Sequence, residues 1–244
     1  MALIAYYSLD GDALDRSSNG NTLSLVGSPS FVNAQKNQGI QLDGATQSLV
    51  AATSAVLDFT TQSFSITGWF KRSVDSGTTE TIIRKNSVST SPGYSVQIDS
   101  ADKLQLFIRD TASSITLSTL EATLANNQYF FAGVFDRATN VTVYLYDVVG
   151  GTNTIRVSGV STPTGSVSTV QILRIGRHSN SATTFFPGIL DEIRFYNHAL
   201  TQEEITQLYN NGLNKVLGIC KASLLRSKCS TSMLRSKAMV AVLG

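Results

Sequence analysis

Residues 186–212, FPGILDEIRFYNHALTQEEITQLYNNG, combine a strand pattern and a helix pattern in one short segment. The first half predicts a glycine-opened strand over residues 188–196, followed by a short turn. Thr201 is a suitable N-cap for a helix, and Glu204 stands three residues later, where its carboxylate can reach back to the N–H of the cap. The segment therefore predicts a strand that leads into a capped helix.

The predicted helix has one apolar face and a defined end. Its apolar residues recur at positions i, i+3 and i+4, which places them on one side: Ile205, Leu208 and Tyr209. Residues 210–212, Asn-Asn-Gly, predict the left-handed residue that ends such a helix. We therefore expect a helix over residues 201–212 that packs its apolar face on the rest of the domain.

Short strands are predicted through most of the chain before this segment. Runs of β-branched and aromatic residues lie within 74–86, 94–110, 115–120 and 128–147. Clusters of Ser, Thr, Asn, Asp and Gly separate them at roughly 8–12 residues, a spacing typical of a sandwich or barrel. Residues 141–146, VTVYLY, alternate between two faces, so one side of that strand is expected to be buried. The pattern predicts an all-β domain of two packed sheets with one short C-terminal helix.

Several segments resemble, in order, the strands of the laminin G-like, concanavalin A-like jelly-roll families. The matching segments are residues 6–10 with 15–21, 39–44, 64–70, 82–86 with 93–94, 131–136, 172–177 and 186–212. The resemblance covers residues 3–212. It implies an antiparallel jelly-roll sandwich over residues 1–213, and a domain that binds a ligand, most often a sugar, rather than one that catalyses a reaction.

The acidic residues do not form the catalytic motif of the glycosidases in this superfamily. Those enzymes need paired carboxyl groups, in a pattern such as Glu-x-Asp-x-Glu on one strand. The glutamates of this chain lie outside any such pattern: Glu80, Glu121, Glu192, Glu203 and Glu204. Asp191 and Glu192 are adjacent, so in a regular strand they should point to opposite faces. We therefore expect no enzyme activity.

A ligand site is expected where loops project from the sandwich, at residues 86–94 and 177–186. A sugar is bound through an aromatic face for its apolar side and through polar groups for its hydroxyls. The candidates for these roles are Tyr94, Arg109, Arg177, His178, Asn180 and Phe185. Trp69 lies within a core strand and is expected to pack there.

The resemblance also implies a structural calcium ion that joins the N-terminal loop to the last core strand. The residues matched to this role are Asp10, Asp15, Asn21 and Asp191. Residues 10–21 do not have the spacing of an EF-hand, but calcium also accepts carboxylates and carbonyls from separate loops. The alternative is that Asp10 and Asp15 cap turns and that Asp191 accepts backbone N–H groups.

Residues 214–244 differ in charge from the rest of the chain. All 17 acidic residues lie at or before Glu204, and the tail holds six basic residues without an acid: Lys215, Lys221, Arg226, Lys228, Arg235 and Lys237. This segment is interpreted either as a solvated or non-native extension or as an anchor that docks on a protein partner or particle. Nucleic acid is not the expected partner, because the basic run lacks aromatic residues that could stack on bases.

No secretory signal and no run of about 20 apolar residues is visible in the sequence. Two explanations stay open: a module of a longer chain, or a protein made in a cytoplasm and released by lysis, as virion proteins are. The expected location is thus a virus or phage particle or the extracellular space. The expected partners are a glycan or cell-surface polysaccharide, or neighbouring subunits, including copies of this chain, in a structural or decorating protein of an assembly.

Overall fold

The computed structural model describes residues 2–51, 55–180 and 182–223, of which residues 214–223 are described for their backbone alone. Within these residues the strands, in chain order, are β1 (Leu3–Tyr7), β2 (Leu23–Val26), β3 (Ser30–Asn33), β4 (Gln38–Asp43), β5 (Ser48–Ala51), β6 (Phe64–Arg72), β7 (Glu80–Lys85), β8 (Gly93–Ile98), β9 (Lys103–Arg109), β10 (Ser114–Ala122), β11 (Gln128–Phe135), β12 (Asn140–Asp147), β13 (Asn153–Ser161), β14 (Arg174–Ile175) and β15 (Pro187–Tyr196). A short 3-10 helix spans Ala55–Leu57, and helix α1 spans Gln202–Ser223.

The strands form two antiparallel sheets, which confirms the predicted jelly-roll sandwich. One sheet has eight strands in the order β13-β12-β11-β6-β15-β4-β3, with β1 also paired to β15. The other has seven strands in the order β10-β9-β8-β7-β14-β5-β2. Neighbours in each order are often distant in sequence, so the last strand β15 lies at the centre of its sheet, between β6 and β4.

The core lies between the two sheets and contains a stack of aromatic rings. The ring of Phe64 on β6 lies 4.0 Å from that of Phe59 and 4.4 Å from that of Phe135, with nearly parallel planes. All three side chains are fully buried. Because these rings join β6, β11 and the segment before β6, they fix the central strands of the eight-stranded sheet.

Helix α1 begins with the predicted capping box. The Thr201 N–H donates to Oε2 of Glu204 at 2.8 Å, and the Glu204 N–H donates to Oγ1 of Thr201 at 3.3 Å. The predicted apolar face is also confirmed: Ile205 is fully buried, and Leu208 and Tyr209 pack on the outer face of the eight-stranded sheet.

The predicted helix end at residues 210–212 is wrong, because α1 continues without interruption to Ser223. Gly212 has a different role from the one expected. A Cβ at this position would lie 2.3 Å from Cζ2 of Trp69, far inside the normal contact distance. The glycine thus lets the helix backbone approach the Trp69 ring, which is 1% exposed and lies nearly parallel to the Tyr209 ring at 5.6 Å. The expected packing role of Trp69 is confirmed.

A β-bulge changes the predicted directions of Asp191 and Glu192. The register of β15 against β6 shifts between Asp191 and Arg194, and Glu192 has a left-handed φ of 54°. Leu190 and Ile193 both point into the core. Asp191 and Glu192 lie between them in the bulge, so both acids point to the outer side of the sheet. The expectation that these carboxylates point to opposite faces is therefore wrong.

Among the described residues, no helix combines the length and the apolar character needed to cross a membrane. The predicted attachment role of the basic tail falls on residues 214–244, and its residues 224–244 lie outside the part of the chain that the structure describes.

Candidate functional site

The seven-stranded sheet presents a row of side chains on its outer face. Ile83 and Ile175, partners on β7 and β14, point into the core, so their neighbours Arg84 and Arg174 point outward. The strand registers extend this row across six strands. In spatial order the outer row consists of Val50, Arg174, Arg84, Ser95, Phe107 and Thr116.

Two arginines stand directly opposite each other in this outer row. Arg84 on β7 and Arg174 on β14 are cross-strand partners, an arrangement that is unfavourable for like charges. Arg177, three residues after Arg174, raises the local charge further and lies across the ring of Phe185, 5.7 Å from its centroid. Each of the three arginines is half-buried.

None of the three arginines has a carboxylate partner among the described residues. Arg84 Nε donates to the Asn86 carbonyl at 3.3 Å, and Arg174 Nε donates to the Ser179 carbonyl at 2.9 Å. Arg177 Nε donates to the His178 carbonyl at 3.3 Å. Burial lowers the pKa of Arg84 and of Arg174, and the charge of Arg177 lowers that of Arg174 as well. The terminal nitrogens of the three guanidinium groups are thus available for a ligand.

The loops after β7 and β14 are tied together beside this cluster. Ser179 Oγ donates to the carbonyl of Asn86, which also accepts from Arg84. The Asn86 amide donates to the Val88 carbonyl at 2.9 Å and holds the turn of its own loop. These bonds hold the two predicted ligand loops at fixed positions relative to the arginines.

His178 is held neutral by its surroundings. Burial, followed by the charges of Arg84 and Arg177, lowers the pKa of His178 to about 4. Its Nδ1 accepts the backbone N–H of Asn180 at 3.2 Å, so in the neutral ring Nε2 carries the proton. His178 is therefore a hydrogen-bond donor at neutral pH.

The structure brings together most of the predicted ligand residues. Arg177, His178, Asn180 and Phe185 lie in one loop beside the arginine pair, with Asn180 exposed and Phe185 partly exposed. Arg109 ends β9, two residues after Phe107 and thus on the same outer face, where its Nη1 lies 3.3 Å from Oγ of Ser114.

Tyr94 does not belong to this site. It is fully buried in the core between the sheets, and its hydroxyl donates to the Leu57 carbonyl at 2.9 Å. Its position on β8 is one residue before the outward-facing Ser95, so alternation directs it inward. The prediction of Tyr94 as a ligand residue is wrong.

Sequence reasoning missed Arg84, Arg174 and Phe107, which only the strand register brings together. One sequence signal does point to the arginines. No acidic residue occurs between Glu80 and Asp99, or between Asp147 and Asp191, although both stretches contain arginines. This signal does not identify the unpaired arginines by itself, since Lys85 lies in the same stretch and pairs with Asp58 at 3.3 Å.

The predicted calcium residues divide into two groups. Asp15 accepts the N–H groups of Tyr6, Ser17 and Asn21, and these bonds lower its pKa. Asn21 Nδ2 also donates to Asp15 Oδ2, at 3.3 Å. Asp15 and Asn21 therefore hold the N-terminal loop, as the alternative interpretation expected.

Asp191 and Asp10 form the second group, at the turn of residues 36–38. Asp191 Oδ2 accepts the Lys36 N–H at 2.8 Å, while its Oδ1 is buried without a hydrogen-bond partner among the described residues. Asp10 Oδ1 accepts the Gln38 N–H at 3.0 Å. Burial, and then the charges of Glu192 and Asp10, raise the pKa of Asp191 to about 8.

The neighbouring carboxylate of Glu192 is already occupied. It accepts the Tyr6 hydroxyl at 2.7 Å, pairs with Lys36 Nζ at 2.9 Å, and contacts Arg194 as well. Its side chain is 2% exposed, so a substrate cannot reach it in this arrangement. Within residues 2–51, 55–180 and 182–223, no group of three or more His, Cys, Asp or Glu side chains is placed to hold a metal ion.

A two-sheet sandwich with one open face lined by aromatic and polar side chains has the architecture of a lectin-like binding domain. The chain belongs to the concanavalin A-like lectin/glucanases superfamily, whose family model matches residues 43–206. Comparison with curated protein sequences gives no match.

Several solved structures share this fold. The binding domain of Paraclostridial Mosquitocidal Protein 1 has a TM-score of 0.68 and 16% identity, over 86% of this chain and 52% of that one. Botulinum neurotoxin type C, in a structure described by its dependence on two ganglioside molecules for cell entry, has a TM-score of 0.66 and 17% identity, over 86% and 51%. Domain 4 of AbnA, a GH43 extracellular arabinanase from Geobacillus stearothermophilus in complex with arabinotriose, has a TM-score of 0.61 and 18% identity, over 84% and 97%.

At these identities the likeness shows a shared fold. The chain spans about half the length of the two toxin chains and nearly all of the arabinanase domain.

Proposed function

We propose that this protein is a non-catalytic carbohydrate-binding module that engages a glycan or cell-surface polysaccharide. The observation that carries the proposal is the difference between the two outer faces. Helix α1 covers the Trp69 region of the eight-stranded sheet, whereas the other sheet presents Phe107, Phe185 and a set of unpaired polar groups. A sugar needs this combination of an aromatic surface and hydrogen-bond donors.

The fold of the arabinanase domain supports this proposal, because that structure holds an arabinotriose. The positions of Asp191 and Glu192 support the non-catalytic part. Both acids are almost fully buried, and Glu192 is held by Tyr6, Lys36 and Arg194. Neither can act as an acid or nucleophile on a sugar unless the sheet opens.

A glycan array with the full chain tests the proposal directly. We expect binding to a restricted set of oligosaccharides, and Phe107→Ala should reduce that binding while the variant keeps its melting temperature, since Phe107 is an outward-facing residue. A Val157→Ala variant, on strand β13 of the other sheet, is the matched control. Failure of the wild-type chain to bind any neutral or acidic glycan would contradict the proposal.

A second candidate is a structural or decorating protein of an assembly, such as a virus or phage particle. It is favoured by the edge strand β13, which exposes Ile155 by 44% and Val157 by 53% on one face. Exposed apolar residues on an edge strand suit contact with a neighbouring subunit. A native mass measurement that gives an oligomer, lost in Val157→Lys, would support this function, and a monomer at all concentrations would exclude self-assembly.

We further propose a calcium ion held by Asp191 and Asp10 together with carbonyl oxygens. The buried, unpartnered Oδ1 of Asp191 is the kind of hard oxygen ligand that calcium takes. Asp15 does not fit, since its oxygens accept several hydrogen bonds of the N-terminal loop. The attachment role of the tail, residues 214–244, and a virion or extracellular location are proposals on sequence grounds alone.

A further inference from the structure

We propose that the outer row is a subsite for an acidic sugar, with the carboxylate or sulfate group on Arg84 and Arg174 and the sugar ring on Phe107. This inference rests on the proposed glycan-binding function and names the class of glycan. Its two parts, an anion site and an aromatic platform, are carried by separate observations.

The anion site rests on a group of positive charges that pairs with no acidic side chain among the described residues. Arg84 and Arg174 are held side by side by the register of β7 and β14, and Arg177 reaches the same place from the following loop. All three donate only their Nε atoms to loop carbonyls. The remaining guanidinium donors match the paired oxygens of a carboxylate or sulfate, which a guanidinium binds with two parallel hydrogen bonds.

The cost of this arrangement indicates a ligand rather than a structural role. Two half-buried cations are cross-strand neighbours, an unfavourable placement for like charges, and among the described residues neither forms an ion pair with an acid. Elsewhere in this chain a buried arginine is fully paired: Arg72 donates to both oxygens of Glu80, at 2.9 and 3.0 Å, and to Asp102. Arg137 and Arg156 also donate to backbone carbonyls without a carboxylate pair, but the outer row differs from them in placing two arginines opposite each other.

The aromatic platform lies at a suitable distance from the anion site. Arg84 on β7 and Phe107 on β9 are both in register with Ser95 on β8, so they are two strands apart, or about 10 Å. Ser95, which lies between the two long side chains in the row, is small and buried. One sugar ring packed on Phe107 can therefore place an acidic substituent on the arginines.

His178 adds a neutral donor at the edge of this subsite. The charges of Arg84 and Arg177 act on its ring, and its Nδ1 is already bonded to Asn180, so Nε2–H is the donor that remains. Since an anion offsets the charge of both arginines, its binding should also make protonation of His178 easier. This coupling gives the site a spectroscopic signal that does not depend on which glycan is used.

The test compares acidic and neutral polymers in calorimetric titrations of the full chain. The probes are polygalacturonate with its methyl ester, and dextran sulfate with neutral dextran. We expect the acidic member of at least one pair to bind at least about tenfold more tightly than the neutral member. Arg84→Gln/Arg174→Gln should abolish this preference, and Phe107→Ala should weaken both members of the pair.

The basic tail requires a matched control, because polyanions bind basic segments without specificity. Arg226→Gln/Arg235→Gln removes the same charge from the tail and should leave the preference unchanged. Equal loss in this control, or an unchanged preference in Arg84→Gln/Arg174→Gln, would overturn the inference. Comparison of the two acidic polymers distinguishes a carboxylate from a sulfate.

A second measurement separates this inference from the proposed function. Inorganic sulfate is titrated into the wild-type chain while the ring protons of His178 are followed by NMR. A saturable shift supports the anion site even if no glycan binds, in which case the glycan-binding function fails alone. Equal binding of neutral and acidic glycans without a sulfate effect on His178 would overturn the anion site and leave the glycan-binding function intact.

Discussion

Replacement of Arg84 by methionine should stabilise the protein. Methionine keeps a long apolar stem on the sheet surface and removes the charge that faces Arg174. The only hydrogen bond lost is the one from Arg84 Nε to the Asn86 carbonyl, which is long at 3.3 Å. That carbonyl still accepts from Ser179 Oγ, so no buried acceptor is left without a partner.

The size of the effect follows from these contacts. Relief of a like-charge pair opposite in a sheet contributes up to about 1 kcal/mol. Burial lowers the pKa of Arg84, so removal of this cation acts in the same direction. Loss of a weak hydrogen bond costs about 0.5 kcal/mol. The net gain from the charge pair and the hydrogen bond is about 0.5 kcal/mol, or about 1–2 °C in Tm for a domain of this size.

Thermal melting followed by circular dichroism measures this gain, with Arg16→Met as the control. Arg16 pairs with Asp12 at 2.7 Å on the surface, with both side chains about 40% exposed, so its loss should change the stability by less than about 0.5 kcal/mol. If the Tm of Arg84→Met is below that of the wild type and of the control, the idea that Arg84 destabilises the folded protein is refuted. A gain in stability combined with a loss of anion binding is the signature of a residue kept for function.

The remaining predictions concern other parts of the molecule. His178 should titrate near pH 4 in the free protein and at a higher pH with bound sulfate, as measured by NMR in a variant that lacks the other histidine. Because this folded-state pKa lies below the usual value of about 6.5, His178 should reduce stability as the pH falls from about 6.5 towards 4, whereas the raised pKa of Asp191 acts in the opposite direction. The contribution of His178 is therefore measured as the difference in melting temperature between the wild type and His178→Gln, and a difference that does not change with pH would contradict it. Gly212→Ala should lower the stability by about 1–2 kcal/mol in thermal melts, since its Cβ would collide with Trp69 by more than the helix propensity of alanine offsets, whereas Asn211→Ala on the exposed side should not. If calcium binds at Asp191, millimolar calcium should raise the Tm above that in a chelator, and identical melts would remove the ion.

The fold was predictable because its signals are local and repeated. The capping box at Thr201 and Glu204 needs only four residues. The alternation within β12 identifies its core side, but the expectation of a single buried side is wrong, because Tyr146 on the other side is covered by Tyr209 of α1. The order of the motifs then determined the family. The end of α1 was not predictable in this way. Gly212 does not end the helix but lets its backbone lie close to Trp69, a residue more than a hundred positions earlier, and the local sequence does not reveal that contact.

The candidate site was predictable only in part, and for a physical reason. Arg177, His178, Asn180 and Phe185 belong to one loop, so composition alone could group them. Arg84 and Arg174 are ninety residues apart and meet only through the register of two strands. The bulge at Glu192 is likewise invisible in sequence, since one extra residue in a strand reverses the direction of every side chain that follows it.

The two outer faces of the sandwich have opposite energetic requirements, and this difference explains where function can lie. The eight-stranded sheet carries Trp69, Phe130 and Tyr146 outward, and exposure of these rings would be costly, so α1 must cover them. The seven-stranded sheet carries Arg84 and Arg174 outward, and a cover without acidic groups would leave their charges unpaired and dry. The acidic ligand proposed above would neutralise these charges when it covers that face.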